Sequence, residues 1–449
     1  MNICEIHPLP YQASPCVYFD AIHKERGAIL LDSGRPNAGR GRFDLLSAWP
    51  LETFVPAPDE SAADFNQRLR AGLARLQTCA YPTGFELPFS GGLMGYFGYD
   101  FGQRIEPQQP KSRDDLGLQD ACLGLYDWAL ITDHQALTSQ LVFHPSVDEQ
   151  QRKKLIALFE NMRESGPQNF KLAGDFRANI RSTDYKQAFE RIQSYISAGD
   201  CYQVNYAQRF QAEYEGDPWG AYQALREECP TPFSGYLGLG ENNAILSLSP
   251  ERFMHVSRGH VETRPIKGTR PRGHTPEQDK AQADELLNSR KDRAENLMIV
   301  DLLRNDLGRS CRIGSVRVPE LFALESYPNV HHLVSAVTGE LAADKDALDL
   351  FAGSFPGGSI TGAPKIRAMQ IIDELEPTRR ALYCGSLMYL DIRGEMDSSI
   401  AIRSLLARDG VISCWGGGGI VADSQWQAEY QESITKVNVL LSTLQNLGK

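Results

Sequence analysis

The sequence predicts a large α+β fold rather than a doubly wound sheet. Three observations lead there. Strand-like runs alternate with helical stretches but without a regular βαβ beat, which argues against a doubly wound sheet. Gly/Pro-rich breaks such as Pro88–Gly98 punctuate the short β-like runs. Apolar residues make up 42 % and charged residues 23 % of the 449 residues, the balance of a chain that buries a core rather than staying disordered.

In chain order, β-like runs fall at Ala28–Leu31, Ala129–Thr132 and Gln140–Phe143, and a helical pattern from Asp148 to Met162 closes the first region. The polar, weakly periodic stretch Arg163–Asn179 reads as a linker, so the division is 1–165, a linker at 166–181, and 182–449. Ser182-Thr183-Asp184 offers capping side chains before a helix over Tyr185–Ile196, which Gly199-Asp200 ends. CYQVNYAQRF then alternates as a strand does. Pro276 sits at a first helical position, where its missing N–H costs nothing, and opens one long helix to about Leu307. Strands are expected at Val330–Val337, Ser386–Leu390, Ser398–Ala407 and Val411–Trp415, and a last helix from about Asp423 to Leu444.

Charge and cysteine usage narrow the class. Lys+Arg total 46 against 57 Asp+Glu, a net charge of −11, which argues against a nucleic-acid binder. The nine cysteines are odd in number and hold no C-x-x-C pair, which fits neither a disulfide framework nor a zinc site and points to a reducing, cytoplasmic setting. The opening MNICEIHPLPYQASPC lacks a basic segment before an apolar run, so no signal peptide is expected, and no apolar run is long enough to span a membrane.

Two carboxylate pairs draw attention. Asp292 and Glu295, and likewise Glu429 and Glu432, are three apart within predicted helices and so share a face. Each pair alone is also the pattern of a solvated helix surface. Two such faces opposed would gather oxygen ligands suited to Mg²⁺. The segment TRPIKGTRPRG carries Arg264, Lys267, Arg270 and Arg272. It reads either as an exposed basic loop or as the setting of a lysine whose amine is freed by apolar neighbours and by Arg264 and Arg270. GGSITGAPK departs from the phosphate-loop spacing, whereas Gly416–Gly419 after a strand offers either a tight turn or backbone N–H groups for an anion. His331-His332 lies on an apolar run, and no G-x-S-x-G or glutaminase-like cysteine elbow occurs.

Taken together, GDCYQVNYAQRF, SLSPERF, TRPIKGT, KDRAENLMIVDLLRNDLGR, HHLVS, FPGGSITGAPKIRAM and GGGGIVADSQWQAEYQESITK resemble the chorismate-utilising enzymes over about residues 182–440. LLDSG and GGLMGYFGYD carry a looser match in the N-terminal region. The resemblance implies that family's large α+β fold, mostly antiparallel sheets flanked by helices with a smaller N-terminal region packed on it: an anthranilate-synthase-component-I-like region at 1–165 and the chorismate-binding catalytic domain at 182–449. It implies Mg²⁺ as cofactor, held by Glu295 and Glu432 with Asp292 and Glu429 in support. It also implies a substrate shell of Gln203, Gly268, Thr269, Tyr383, Arg403, Gly417, Gly418, Gly419 and Lys436, with Glu251 as general acid and His332 as the active-site histidine. Branches that aminate at C2 carry Ala where this chain has Lys267, and branches that add water carry lysine at the position of Gln203. The resemblance therefore implies amination of chorismate at C4 through a covalent Lys267 adduct, within 4-aminobenzoate and folate biosynthesis. Ammonia would come from glutamine through a separate glutaminase subunit. The alternatives are anthranilate synthase component I, a chorismate-binding regulatory paralogue, and a nucleic-acid module on the basic loop. Related enzymes also bind tryptophan in a pocket whose counterparts here are Ser33, Arg40, Gly41, Arg42, Phe43, Pro232, Phe233 and Ser234.

Overall fold

Alternating burial along the strands builds two large antiparallel sheets, one of thirteen and one of ten strands among the described residues. The computed structural model describes residues 2–39, 41–162, 166, 169–327 and 330–447. In the first sheet, Ile29, Leu45, Ile131, Val142, Ile245 and Leu406 point toward the second sheet and share a core with its Leu93, Phe97, Leu123, Leu125 and Met388. Their chain neighbours Leu30, Leu46, Leu130, Leu141, Leu246 and Leu405 point the other way, onto a layer of helices. A period of two thus gives each strand one face for each layer. The helices Glu149–Glu160, Pro218–Glu228 and Trp426–Asn446 cover that outer face with Leu155, Phe159, Trp219, Tyr222, Leu225, Leu440 and Leu444.

Both sheets cross the expected boundary near residue 165. In the first, Phe233–Gly240 lies beside Ile29–Asp32, with Tyr236 opposite Leu30. In the second, Ser386–Asp391 lies beside Gly92–Phe97, with Met388 opposite Gly95. Residues 1–165 are therefore woven into the same two sheets as the rest: Ile29–Asp32 and Gly92–Phe97 each pair on one edge within this region and on the other with a later strand. Part of the expected linker, 163–165 and 167–168, lies outside the described residues. Its end, Arg177–Ala178, pairs with Gln203–Gly216.

Two expected elements are divided. The long helix is two, Pro276–Asn288 and Arg290–Gly308. Ser289 leaves the helical conformation, at φ −64° and ψ 111°, and its hydroxyl accepts from the Asp292 N–H as an N-cap. The strand expected at Ser398–Ala407 is likewise split into Met396–Ser399 in the second sheet and Ser404–Arg408 in the first. The chain crosses between layers there, and Arg403, at φ +50°, makes the turn.

The last helix lies directly on the strand Val411–Ile420. A Cβ on Gly416 would fall 1.9 Å from the Ser433 carbonyl oxygen, so that contact admits only glycine. Gly416→Ala is expected to lower the unfolding free energy by about 1–3 kcal/mol, since no rotamer change relieves a clash with backbone; urea denaturation monitored by circular dichroism measures it.

Candidate active site

Gln203 and Asn205 stand two apart on the strand Gln203–Gly216 and so share a face, opposite the glycine run. Asn205 pairs in register with Gly419, and Ala207 with Gly417. A Cβ on Gly419 would lie 2.5 Å from Gln203 Nε2 and 3.0 Å from Asn205 Oδ1, so the missing side chain is what admits these two amides. Gln203 Nε2 donates to Asn205 Oδ1 at 3.1 Å, and Asn205 Nδ2 donates to the Ser359 carbonyl at 3.2 Å. The same carbonyl accepts from Lys267 Nζ at 2.9 Å. Gln203 Oε1 is buried and has no hydrogen-bond partner among the described residues.

Lys267 stands on Ile266–Pro271, the terminal strand of the second sheet. Burial lowers its pKa from the ordinary 10.5, against the pull of Glu251, Glu295 and Glu432, and Lys436 pushes the same way as burial. Glu251 is only 6 % exposed. Burial raises its pKa, opposed by Lys267, the Ser359 hydroxyl and the Ile266 N–H. Arg264 and Arg270 are candidates to press on Lys267 provided they face it, but both are neutralised by carboxylates. Arg264 pairs with Glu320 and Glu325, Arg270 with Glu285 and Asp292, and Arg272 with Asp279. The cation that acts on the amine is Lys436, brought in by the last helix. With these arginines paired, the loop is no free basic patch.

Gly418 lies beneath the second carboxylate pair. A Cβ there would be 3.2 Å from Glu429 Oε2, 3.5 Å from Glu432 Oε1 and 3.5 Å from Lys436 Nζ. Lys436 Nζ bridges Glu432 at 2.7 Å and the Gly417 carbonyl at 3.0 Å. Glu429 is buried and accepts from the Ser424 hydroxyl at 2.6 Å. Burial raises the carboxyls of both Glu295 and Glu429; Asp292 and Glu429 add to the rise at Glu295, and Glu432 to that at Glu429. Burial also raises Glu432, but Lys436, Lys291 and Lys267 bring it below its ordinary value on balance. Asp292 is held by Arg270 at 3.0 Å and packs against Gly268, whose φ of +85° brings the strand close. The two helical faces thus lie within one another's field, although among the described residues no three such ligands are close enough to form a ready metal cage.

Thr269 Oγ1 contacts His332 Nδ1 at 2.8 Å. Burial and then the charge of Arg403 lower the His332 pKa to about 4. The Arg403 guanidinium has no hydrogen-bond or ion-pair partner among the described residues. Tyr383 is buried and stacks on Trp415 at 6.2 Å, with the Arg380 guanidinium 5.7 Å from its ring.

A separate cavity of about 690 Å³ lies between the sheets, lined by Ser33, Gly41, Arg42, Phe43, Pro232, Phe233 and Ser234 among others. Arg40 lies outside the described residues. Arg42 is neutralised by Asp133 at 2.8 Å and covers the Phe43 ring at 4.5 Å.

Asn205, Ser359 and the buried pair Arg380–Glu376 escape the sequence reading. Only the first leaves a signal, standing two residues from Gln203 on an alternating strand. Arg380 is bound to Glu376 at 2.7 Å and donates to the carbonyls of Ile360 at 3.1 Å and Asn205 at 2.9 Å.

This constellation lies on a chain whose residues 15–442 match the family model described as chorismate binding enzyme. The chain belongs to the family of chorismate-binding enzymes. Its relatives include aminodeoxychorismate synthase component 1 of Salmonella typhimurium, 47 % identical over 96 % of this chain and 95 % of that protein. The Escherichia coli protein of the same name is 48 % identical over 95 % of each. Among solved structures, anthranilate synthase component I from Streptococcus pneumoniae superposes with a TM-score of 0.79 at 31 % identity, covering 89 % of this chain and 92 % of that one.

The His332 imidazole is expected to titrate near pH 4 by NMR. The unfolded chain takes up that proton near the ordinary 6.5. Stability should therefore fall as the pH drops from about 6.5 toward 4 and lose nothing more from this group below that.

Proposed function

We propose that this chain aminates chorismate at C4 with ammonia to give 4-amino-4-deoxychorismate. The observation that carries the reading is the facing pair Lys267 and Glu251, the amine lowered and the carboxyl raised by the same burial. The names of the relatives favour it over amination at C2. Environments that push two groups' pKa values in these directions assign the base-form nucleophile and the acid.

The neutral amine of Lys267 attacks C2 of the ring, the double bonds shift, and the C4–O bond breaks. Glu251 gives its proton to the departing hydroxyl, which leaves as water, and takes up the proton shed by the amine. Ammonia then forms the C4–N bond while the C2–N bond to Lys267 breaks, and the proton lost by ammonia returns to the lysine amine. Arg403, Lys436, Tyr383 and the N–H groups along Gly417–Gly419 hold the substrate carboxylates, with Gly268 and Thr269 along the ring. His332 stays neutral beside Arg403, and Gln203 cannot serve as a water-activating base. Glu295 and Glu432, supported by Asp292 and Glu429, suit Mg²⁺ as hard oxygen donors; burial raises Glu295 and Glu429, and their carboxylate neighbours add to the rise. When bound there, Mg²⁺ supplies positive charge to a substrate carboxylate. Ammonia is delivered in the cell by a glutaminase subunit, in keeping with relatives named as component 1 and with the missing glutaminase signature. The 690 Å³ cavity takes tryptophan: Phe43 and Phe233 offer apolar walls, and pairing with Asp133 removes the charge of Arg42.

Chorismate, an ammonium salt and Mg²⁺ are expected to give 4-amino-4-deoxychorismate with this chain alone, whereas glutamine serves only with the partner present. Without ammonia, the peptide carrying Lys267 should gain the mass of chorismate minus water. Lys267→Ala should lose this adduct and about a hundredfold of the amination rate; an unchanged rate with no adduct in either protein would sink the reading. Glu432→Gln should cost about 10–100-fold in Mg²⁺-dependent turnover at unchanged melting temperature, and near-normal activity would remove it from the metal set. Calorimetry with tryptophan tests the cavity, where an absence of heat and of thermal shift leaves it unfilled by that ligand.

A further inference from the structure

The Ser359 carbonyl accepts two hydrogen bonds, one from Lys267 Nζ at 2.9 Å and one from Asn205 Nδ2 at 3.2 Å. A carbonyl oxygen has two lone pairs, so each donor takes one and the direction of approach of the other is set. The turn that carries Ser359 is tied down around this point. Asn205 N–H donates to the Thr361 carbonyl at 2.8 Å, and Thr361 Oγ1 donates to the Gly357 carbonyl at 3.0 Å. Arg380, buried and neutralised by Glu376, reaches the carbonyls of Ile360 and Asn205 together. Asn205 is itself oriented by Gln203, whose Nε2 donates to its Oδ1 at 3.1 Å. Lys267, by contrast, ends a flexible four-carbon stem, and Glu251, Glu295 and Glu432 all compete for its amine.

We infer that Asn205 is a positioning residue for the Lys267 amine, acting through the Ser359 carbonyl that both side chains share. By occupying one lone pair it leaves Nζ a single seat on the carbonyl, away from the carboxylates that would otherwise draw it aside. The inference rests on Lys267 being the nucleophile proposed above, but its geometric part concerns only where the amine sits.

The test uses the full-length chain with Asn205→Leu, which keeps the approximate volume and removes the donor, and Asn205→Asp, which is isosteric and keeps the acceptor for Gln203. Either variant should lower kcat for amination about tenfold while KM for chorismate stays within about twofold. Adduct formation at Lys267 without ammonia should slow by the same factor. A second readout needs no chorismate: with limiting acetic anhydride, acetylation of Lys267 relative to exposed Lys24 should change by about threefold or more in both variants. Unchanged labelling together with an unchanged adduct rate overturns the inference. A shift in labelling in protein that forms no adduct even as wild type upholds the positioning and overturns the covalent reading instead. Should Asn205→Leu fold poorly, Asn205→Asp carries the same measurements, and wild-type labelling and rate in it would overturn the inference alone.

Discussion

Direct contact between a helix and a strand backbone is the constraint from which the site follows. Ordinary side chains hold a helix well clear of a sheet, yet here the Ser433 carbonyl sits where a Cβ of Gly416 would be. That approach brings Glu429, Glu432 and Lys436 down over Gly418, so helix side chains act on groups that the strands present. The same run of glycines leaves room on its other side for Gln203 and Asn205. One short stretch without side chains thus admits polar groups of a helix on one face and of a neighbouring strand on the other, where larger side chains would exclude both.

Burial then divides the titration of the groups gathered there. It favours whichever form is uncharged, raising Glu251 and lowering Lys267, so one environment readies an acid and an amine together. Glu432 escapes that trend because Lys436 lies 2.7 Å away. Arg403 is placed by another device, the crossing of the chain from the second sheet to the first. Its φ of +50° turns the chain between layers and leaves a guanidinium that has no partner among the described residues and whose charge acts on His332.

Much of the site was legible because its parts are local. The i,i+3 spacing of Asp292 with Glu295, and of Glu429 with Glu432, follows from helical geometry and needs no knowledge of the partner helix. The glycine run and the PIKGT segment stand out by composition alone. What stayed hidden depends on distant neighbours. Arg264 and Arg270 look from the sequence like companions of Lys267, but carboxylates from other segments take them, and Lys436, 169 positions away by number, supplies the charge instead. Ser359 acts through its backbone carbonyl, which no side-chain pattern advertises.

By itself the sequence determined the class of fold, the positions of several strands and helices, the carboxylate pairs and the candidate lysine, since these rest on periods of 2 and 3.6 and on local chemistry. The tertiary structure alone decided that residues 1–165 enter both sheets, that the strand near Arg403 breaks to change layers, and which charges neutralise one another. Strand pairing and ion pairing are contests among many partners far apart in the chain. Their outcome is settled only when the layers close and each edge, donor and charge meets the neighbour that burial leaves it.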